Sequence, residues 1–312
     1  MKIATIDLGT NTALLLIAEI SNDGSIKVLR DELRSPRMGK DVDAQRRISE
    51  QSYQRVKESF LEYKEIVSRY NVEKIVATGT SALRDASNRD EFVERMFSET
   101  GIHIEILNGE EEALWTFRGA ISRIKNQKEN VAVIDIGGGS TELISDFRFT
   151  NYDFFAKSLD IGAVRVTEKF FALFPLMQAD IEYAKKFIRE QLSTIPKEQF
   201  VHTQLVGVAG TVTTLALLEQ NISEFDVAKV SNYILNISVI EKWFYFLSKK
   251  TPQEILLLTS AAKGREDILF SGTLILFETM KYFSWKEIIV SERGLRYGIA
   301  LRQFEAKQKT NG

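Results

Sequence analysis

A short segment that occurs twice constrains the fold of this chain more than any other feature. Residues 4–9 (ATIDLG) and residues 132–137 (AVIDIG) align without a gap. In each copy an apolar, strand-like run ends in Asp, one apolar residue and Gly, and a second strand-like run follows after a turn of small residues. The repeat therefore predicts two halves, each built on a strand–turn–strand unit.

Strands and helices alternate around these units. Apolar residues spaced by three and four predict a helix over residues 53–70, and short apolar runs predict strands at residues 74–77 and 287–290. The polar residues 78–89 follow the first of these strands and predict a loop. Such alternation is typical of an α/β fold with mixed or parallel sheets.

The length of 312 residues predicts about two domains. A polar segment between the two halves marks the boundary, which gives domains at residues 1–123 and 124–312. The last predicted helix, at residues 295–306, is free to return and pack on the first domain.

The composition argues against several classes of protein and site. The net charge of −2, from 41 basic and 43 acidic residues, disfavours a general binder of nucleic acids or membrane surfaces. The absence of Cys excludes disulfides, thiolate metal sites and Cys nucleophiles. Asp7 interrupts the first apolar run, and the run after it, residues 13–18, is far shorter than the ~18 residues that a membrane span needs. We therefore expect a cytoplasmic protein.

The turn after each copy of the repeat has the residues of a phosphate-binding loop. Glycine lets backbone N–H groups approach an anion closely, and an Asp at the strand end offers an oxygen to a hard cation such as Mg²⁺. The first turn supplies Asp7, Gly9, Thr10 and Asn11, and the second supplies Asp135, Gly137, Gly138, Gly139 and Ser140. An ordinary hairpin and a flexible loop remain the alternatives. Neither turn matches a Walker A loop or the dinucleotide-binding fingerprint.

Other single residues are compatible with phosphate chemistry. Gly162, and Gly210 with Thr211, precede predicted helices, whose N-termini bind anions, although glycine also permits a simple tight turn. Arg84 offers phosphate a planar, bidentate donor, or it is a solvated loop residue. Glu142 follows the second turn, and a surface strand position is its alternative.

Three consecutive carboxylates, at residues 110–112, stand at the start of a predicted helix. Asn108 is a good N-cap, and Glu111 occupies the position that completes a capping box. Acidic residues also suit the positive end of the helix dipole. Helix-start chemistry accounts for the cluster in outline, but it does not require all three carboxylates.

These motifs, in this order, resemble the exopolyphosphatase / guanosine pentaphosphate phosphohydrolase (Ppx/GppA) family of the actin-like ATPase superfamily. The resemblance covers nearly the whole chain, and its length is similar to that of the short, two-domain members. It rests on the two turns and on residues 77–86, 109–113, 158–165, 207–211 and 264–268.

The resemblance implies two actin-like (ribonuclease H-like) α/β domains that face each other across a cleft. It implies hydrolysis of the terminal phosphoanhydride of inorganic polyphosphate or of the alarmone pppGpp, with Mg²⁺ or another divalent cation as cofactor. Glu112 is implied as the catalytic base and Arg84 as a phosphate-binding residue. Asp135 and Glu142 are implied as catalytic carboxylates that bind the metal, and Asp7 is a third candidate ligand.

Three other functions stay open. An actin-like small-molecule kinase is disfavoured by the Glu-rich helix start and by the lack of an obvious sugar-binding segment. A non-catalytic ATP-binding or filament-forming relative is disfavoured by Glu112 and Arg84. The third is a relative that binds polyphosphate or alarmone without hydrolysing it. A homodimer is compatible with the sequence, which does not determine the oligomeric state.

Overall fold

The computed structural model describes residues 1–39, 46–128, 130–147, 154–171 and 174–311, without the side chains of residues 147 and 311. These residues form two compact units: unit 1 comprises Met1–Gly119 and the segment from Gly294 onward, and unit 2 comprises Ala120–Arg293. The units thus differ from the predicted limits, 1–123 and 124–312, by assigning the last helix to unit 1. Within the described ranges, no helix has both the length and the apolar character that crossing a membrane requires.

Unit 1 is built on a mixed sheet with the strand order β3-β2-β1-β4-β5. Its strands are β1 Lys2–Leu8, β2 Ala13–Ile20, β3 Ile26–Arg34, β4 Lys74–Gly79 and β5 Ile104–Ile106. β2 is antiparallel to β1 and β3, and β4 is parallel to β1 and β5. The carboxyl ends of the parallel strands therefore meet at one edge of the sheet, where the first turn begins.

In the described part of unit 1, four helices accompany these strands: α1 Glu50–Ser68, α2 Ser81–Asp85, α3 Arg89–Thr100 and α4 Gly109–Ile121. The predicted helix over residues 53–70 is confirmed by α1, which buries its apolar stripe and begins at Ser49, whose side chain accepts a hydrogen bond from the Ser52 N–H. The predicted loop at residues 78–89 is wrong, because it contains the end of β4 and all of α2. Polarity misled the prediction, since Ser81 is buried together with its apolar neighbours.

Unit 2 is built on a second mixed sheet, with the order β10-β11-β9-β6-β7-β8. Its strands are β6 Asn130–Ile136, β7 Thr141–Phe147, β8 Phe154–Leu159, β9 Gln204–Val208, β10 Ile234–Asn236 and β11 Glu287–Val290. β7 is antiparallel to β6 and β8, β9 is parallel to β6 and β11, and β10 is an antiparallel edge strand.

The described residues of unit 2 form seven α-helices: α5 Ala163–Phe170, α6 Gln178–Leu192, α7 Ala209–Glu219, α8 Val227–Val230, α9 Ile237–Leu247, α10 Pro252–Leu258 and α11 Leu269–Tyr282. Helix α11 is buried along most of its length and packs in the core with α6, α7 and α9. The chain ends in α12 Leu295–Asn311, which packs on β1 and β2 of unit 1 through Tyr297 and Phe304.

The two sheets share one topology. The order β3-β2-β1-β4-β5 of unit 1 matches β8-β7-β6-β9-β11 of unit 2, to which β10 is added at the edge. The two copies of the sequence repeat lie in β1 and β6, at corresponding positions. This agreement confirms the predicted α/β fold with two domains of the same type.

Candidate active site

The first turn, between β1 and β2, is a tight hairpin with buried polar side chains. The Gly9 N–H donates to the Thr12 carbonyl oxygen at 2.9 Å. Thr10 and Asn11 are both buried. Among the described residues, none accepts a hydrogen bond from the Thr10 N–H. The prediction of a strand-to-strand turn is confirmed, and its phosphate-binding role remains a prediction.

A short segment, residues 36–39, lies behind this turn. The N–H groups of Gly39 and Arg37 donate to the carbonyl oxygens of Thr10 and Asn11, at 2.8 and 3.0 Å. Arg37 has a left-handed backbone, with φ of 49°. Arg55 of α1 holds this segment in place. Its guanidinium donates to the carbonyl oxygens of Pro36 and Arg37, at 2.6 and 3.2 Å.

Asp7 lies at the end of β1, directly opposite Leu14 on β2 and Thr78 on β4. On β2, Asp7 is therefore paired with an apolar residue and not with a second carboxylate. The Thr80 N–H donates to the Leu8 carbonyl oxygen at 3.3 Å, so that α2 starts next to this turn.

The start of α4 separates the roles of two adjacent glutamates. Glu111 forms the predicted capping box, since its N–H donates to Asn108 Oδ1 at 2.9 Å and its carboxylate accepts from the Asn108 N–H at 3.4 Å. The Glu112 N–H makes the first backbone bond of the helix, to the Asn108 carbonyl oxygen at 3.0 Å, and its side chain has a different partner. Its carboxylate accepts a hydrogen bond from Arg84 Nη1 at 2.7 Å, and the same nitrogen donates to the Leu107 carbonyl oxygen at 3.1 Å.

The Glu112–Arg84 pair is shielded from solvent. Glu112 is 8% exposed, and a buried carboxylate requires a compensating charge and hydrogen bonds. Arg84 supplies both from the end of α2, a helix rather than the predicted loop. The structure thus brings the predicted base and the predicted phosphate-binding arginine into direct contact.

The second turn, between β6 and β7, is closed in the same way as the first. The Gly137 N–H donates to the Ser140 carbonyl oxygen at 3.0 Å. Within the described part of the chain, the N–H groups of Gly138, Gly139 and Ser140 have no acceptor. Gly139 and Ser140 are buried. Adjacent open N–H groups in a glycine turn form a concave site suited to an anion.

The first residues of α5 lie behind this second turn. The N–H groups of Ala163 and Val164 donate to the carbonyl oxygens of Gly137 and Gly138, each at 2.9 Å. Gly162 permits this approach, because a Cβ there would lie 2.2 Å from the Gly138 carbonyl oxygen. The prediction that Gly162 starts a helix is confirmed. Because the N–H groups that follow it are engaged by the turn, we assign Gly162 to shaping the turn.

Polar side chains form a row across β6, β7 and β8 beside this turn. Asp135 lies directly opposite Glu142, which lies opposite Ser158. Glu142 is 2% exposed, so the surface alternative is wrong, and one of its oxygens accepts from Ser158 Oγ at 2.7 Å. Like charges directly opposite each other destabilise a sheet, and a cation relieves that repulsion.

The carboxylate pair fits a hard divalent cation of the Mg²⁺ type. Mg²⁺ is usually bound by one or two carboxylates, with waters and substrate phosphates completing its shell. Asp135 and Glu142 provide two adjacent carboxylates on one face. No group of three or more His, Asp or Glu side chains suited to a metal occurs among the described residues, so an all-protein cage is not what this site offers.

The start of α7 forms a third cluster, at the same edge of the unit 2 sheet. Ala209 has a left-handed backbone with φ of 68°, which L-residues rarely adopt. Gly210 and Thr211 lie in the first turn of the helix, where backbone N–H groups have no intrahelical acceptor. The Thr211 hydroxyl occupies a notch at Gly272 of α11, where a Cβ would lie 2.2 Å from its Oγ1. The predicted helix start at Gly210 and Thr211 is confirmed.

Arg265 completes this cluster, and the sequence analysis assigned it no role. Its guanidinium packs directly against Gly210. If residue 210 had a Cβ atom, that atom would lie 1.1 Å from Arg265 Nη1. Burial lowers the pKa of Arg265 to about 10. Its side chain has no hydrogen bond or ion pair within the described ranges. A desolvated cation next to open N–H groups favours a bound anion.

A signal for Arg265 was present in the sequence. It lies in residues 264–268, one of the segments on which the family resemblance rests. An arginine followed by two carboxylates at residues 266 and 267 suggests a local ion pair, however, and the spacing to Gly210 gives no hint of contact. The close approach arises only when the segment before α11 folds over the start of α7.

Comparison with known proteins identifies the family of this chain. Residues 16–307 match the sequence profile of the Ppx/GppA phosphatase family. The chain belongs to the Ppx/GppA phosphatase family. This confirms the resemblance inferred from the sequence and, with it, the enzyme class, a phosphatase.

Individual relatives match nearly the whole chain. It is 34% identical to a bifunctional 3-dehydroquinate synthase/phosphatase of Fusobacterium nucleatum, over 97% of this chain and 47% of that protein, so the chain spans about half the length of that relative. It is 30% identical to exopolyphosphatase 2 of Mycobacterium tuberculosis, over 96% of this chain and 98% of the relative. The crystal structure of an exopolyphosphatase from Cytophaga hutchinsonii superposes with a TM-score of 0.89 at 28% identity, covering 98% of both chains.

Proposed function

We propose that this chain hydrolyses the terminal phosphoanhydride of inorganic polyphosphate and releases orthophosphate. The observation that carries the proposal is the buried carboxylate of Glu112, which accepts a hydrogen bond from Arg84, whereas Glu111 makes the bonds of the capping box. Relatives named exopolyphosphatase, matched over nearly their whole length, support the choice of substrate. The alarmone pppGpp presents the same bond and is the second substrate to test.

In the proposed reaction, Glu112 accepts a proton from the attacking water. The water oxygen forms a bond to the terminal phosphorus, and the bond from that phosphorus to the bridging oxygen breaks. The bridging oxygen keeps the electron pair and becomes the new end of the shortened chain. Arg84 holds the Glu112 carboxylate in place and supplies positive charge beside it.

Negative charge on the transferring group is stabilised mainly by electrostatics in reactions of this type. We assign this task to the open N–H groups of the second turn and of the α7 start, together with Arg265 and Thr211. The first turn, with Gly9, Thr10 and Asn11, contributes further donors. Asp135 and Glu142 hold the divalent cation, with Asp7 as an additional candidate ligand. When bound, the ion neutralises phosphate oxygens.

The test is phosphate release from long-chain polyphosphate, pppGpp and ATP, measured side by side with Mg²⁺ and with EDTA. Release from polyphosphate that requires Mg²⁺ supports the proposal. Release of phosphate from pppGpp but not from polyphosphate would identify the alarmone as the substrate. Transfer of phosphate from ATP to an acceptor, without release from polyphosphate, supports a kinase and overturns the proposal. Binding of polyphosphate without release also overturns it, in favour of a non-catalytic binder.

A further inference from the structure

Arg165 is bonded to the second turn through its backbone and its side chain. Its N–H donates to the Gly138 carbonyl oxygen at 3.2 Å, and its Nε donates to the Gly139 carbonyl oxygen at 2.8 Å. Its Nη2 lies 3.6 Å from Asp160 Oδ1, and the side chain is 20% exposed. Arg165 lies in residues 158–165, one of the segments on which the family resemblance rests.

The bonds to α5 fix the direction of three consecutive peptide units. The carbonyl oxygens of Gly137, Gly138 and Gly139 all accept hydrogen bonds from residues 163–165. In a trans peptide the N–H points away from the carbonyl of the same unit. The N–H groups of the next residues, ending with Ser140, therefore all point away from α5. These are the three N–H groups that lack an acceptor among the described residues.

The three peptide units are not held equally. Main-chain N–H groups hold the Gly137 and Gly138 carbonyls, and these donors move only if α5 moves. Within the described part of the chain, the Gly139 carbonyl oxygen is held by the Arg165 side chain alone. Glycine rotates with little steric hindrance, so without this donor the peptide between Gly139 and Ser140 is free to turn.

We propose that Arg165 is a positioning residue for phosphate binding, because it fixes the Ser140 N–H in the orientation that an anion requires. The inference rests on the proposed function of the second turn. Arg165 acts through the peptide and does not itself contact the phosphate. Asp160 lies near the outer end of the guanidinium and helps to hold its orientation.

Substitution separates this role from a purely structural one. Arg165→Met keeps the aliphatic stem and loses every donor, whereas Arg165→Lys keeps one donor near the Gly139 carbonyl. Lys169→Met is the matched control, because Lys169 lies one turn further along α5, with its Nζ over the Phe187 ring at 3.8 Å. It removes a cation from the same helix without touching the turn.

The experiment combines kinetics on polyphosphate with amide NMR spectra recorded during a titration with tripolyphosphate. In the wild type, the Gly138, Gly139 and Ser140 amide signals should shift. In Arg165→Met, the Ser140 shift should need roughly 10- to 100-fold more ligand, as expected for losing one hydrogen bond to a charged group. The value of kcat/KM should fall in parallel. Arg165→Lys should recover part of the loss, and Lys169→Met should behave as the wild type.

Three outcomes overturn the inference. It fails if wild-type turn amides do not respond to tripolyphosphate, if Arg165→Met responds as the wild type, or if Lys169→Met loses as much. Should Arg165→Met fold poorly, Arg165→Lys decides, because a positioning role requires a weakened Ser140 shift at an unchanged Tm. Wild-type amide shifts without phosphate release contradict the proposed function and leave the role of Arg165 supported.

Discussion

The two glycine turns begin alike and are held in place differently. Each is closed by a hydrogen bond from its first glycine to the residue three positions later, at 2.9 Å for Gly9 and 3.0 Å for Gly137. Behind the first turn lies a short segment that donates main-chain N–H groups at two positions. Behind the second lies the start of α5, which holds two consecutive carbonyls through main-chain N–H groups and a third through the Arg165 side chain. The second turn therefore has the more completely fixed row of N–H groups.

The two turns also differ in the charged residues around them. Asp7 and Asp135 correspond in the repeat, but Asp7 faces Leu14 across the sheet whereas Asp135 faces Glu142. Unit 1 instead carries the Glu112–Arg84 pair. In the proposed reaction the two units serve different tasks, with proton transfer assigned to unit 1 and cation and phosphate binding to unit 2. The predictions below test that division.

The largest expected effect is on proton transfer in unit 1. Glu112→Gln keeps the size of the side chain and an oxygen that can accept from Arg84, but it removes the base. We expect kcat for polyphosphate to fall on the order of 10²–10⁴-fold while the substrate still binds. Steady-state kinetics and a direct binding assay measure the two quantities.

Glu111→Gln is the matched control, because Gln also serves in a capping box. We expect nearly wild-type kcat and a loss of stability of about 1 kcal/mol or less. Normal turnover in Glu112→Gln together with loss of turnover in Glu111→Gln would identify Glu111, and not Glu112, as the base. Activity in both variants would return the glutamate cluster to a helix-start role and remove proton transfer from this part of unit 1.

A second contrast concerns the two arginines. Arg84 is paired with Glu112, whereas Arg265 has no partner among the described residues. Arg265→Met should raise KM for polyphosphate by roughly 10- to 100-fold. It should leave Tm equal or higher, because it removes a desolvated cation. Arg84→Met should instead lower stability by about 1–3 kcal/mol, because it leaves the Glu112 carboxylate buried without its donor.

Kinetics and thermal unfolding of Arg265→Met and Arg84→Met test whether the two arginines differ in this way. A loss of stability in Arg265→Met with unchanged KM would mean that its guanidinium supports the fold and does not bind substrate. Equal losses of stability in both variants would remove the distinction between a paired and an unpaired arginine.

The third contrast concerns the cation. Glu142→Gln should raise the Mg²⁺ concentration for half-maximal activity by at least about tenfold, and it should weaken Mn²⁺ binding measured by electron paramagnetic resonance without substrate. Asp7→Asn should have a smaller effect, because Leu14 stands where a second carboxylate would be needed. An Asp7 effect as large as that of Glu142 would place the ion at the first turn.

The sequence predicted the frame of both turns but not what lies behind them. The repeat identified β1, β6 and their turns because strand residues and glycine act locally. The Glu111 capping box was also predictable, since it spans three residues. Arg165 and Arg265 act over distances in sequence of 26 residues to the Gly139 carbonyl and of 55 to Gly210. Such contacts depend on how helices pack, which local patterns do not encode.

A fourth prediction compares how tightly the two turns fit against what lies behind them. A Cβ at Gly162 would lie 2.2 Å from the Gly138 carbonyl oxygen, which is backbone, whereas a Cβ at Gly39 would meet the Thr10 methyl at the same distance. A side chain can rotate away more easily than a turn can shift. We therefore expect Gly162→Ala to cost about 1–3 kcal/mol of stability, and Gly39→Ala to cost less.

Urea unfolding measures both stabilities, and kcat/KM reports the effect on the turn. Gly162→Ala should lower kcat/KM more than Gly39→Ala does. The reverse order would mean that the first turn, and not the second, is the more tightly constrained phosphate site.

The smallest expected effect concerns backbone strain, which the two units place differently. Next to the first turn of unit 1, Arg37 has a left-handed backbone, and in unit 2 Ala209 has one at the start of α7. A left-handed L-residue costs roughly 1–2 kcal/mol, and replacing Ala by Gly costs about 0.5–1 kcal/mol in chain entropy. Ala209→Gly should therefore raise stability by no more than about 1 kcal/mol, whereas Ala209→Val should lower it, since a β-branched residue fits this backbone poorly.

The greater backbone freedom of Gly in Ala209→Gly should also loosen the N–H groups of Gly210 and Thr211, so kcat/KM should fall slightly as Tm rises. Thermal unfolding and kinetics of the two variants test this, and a destabilised Ala209→Gly would mean that the conformation carries no strain and that the α7 start is shaped by packing alone.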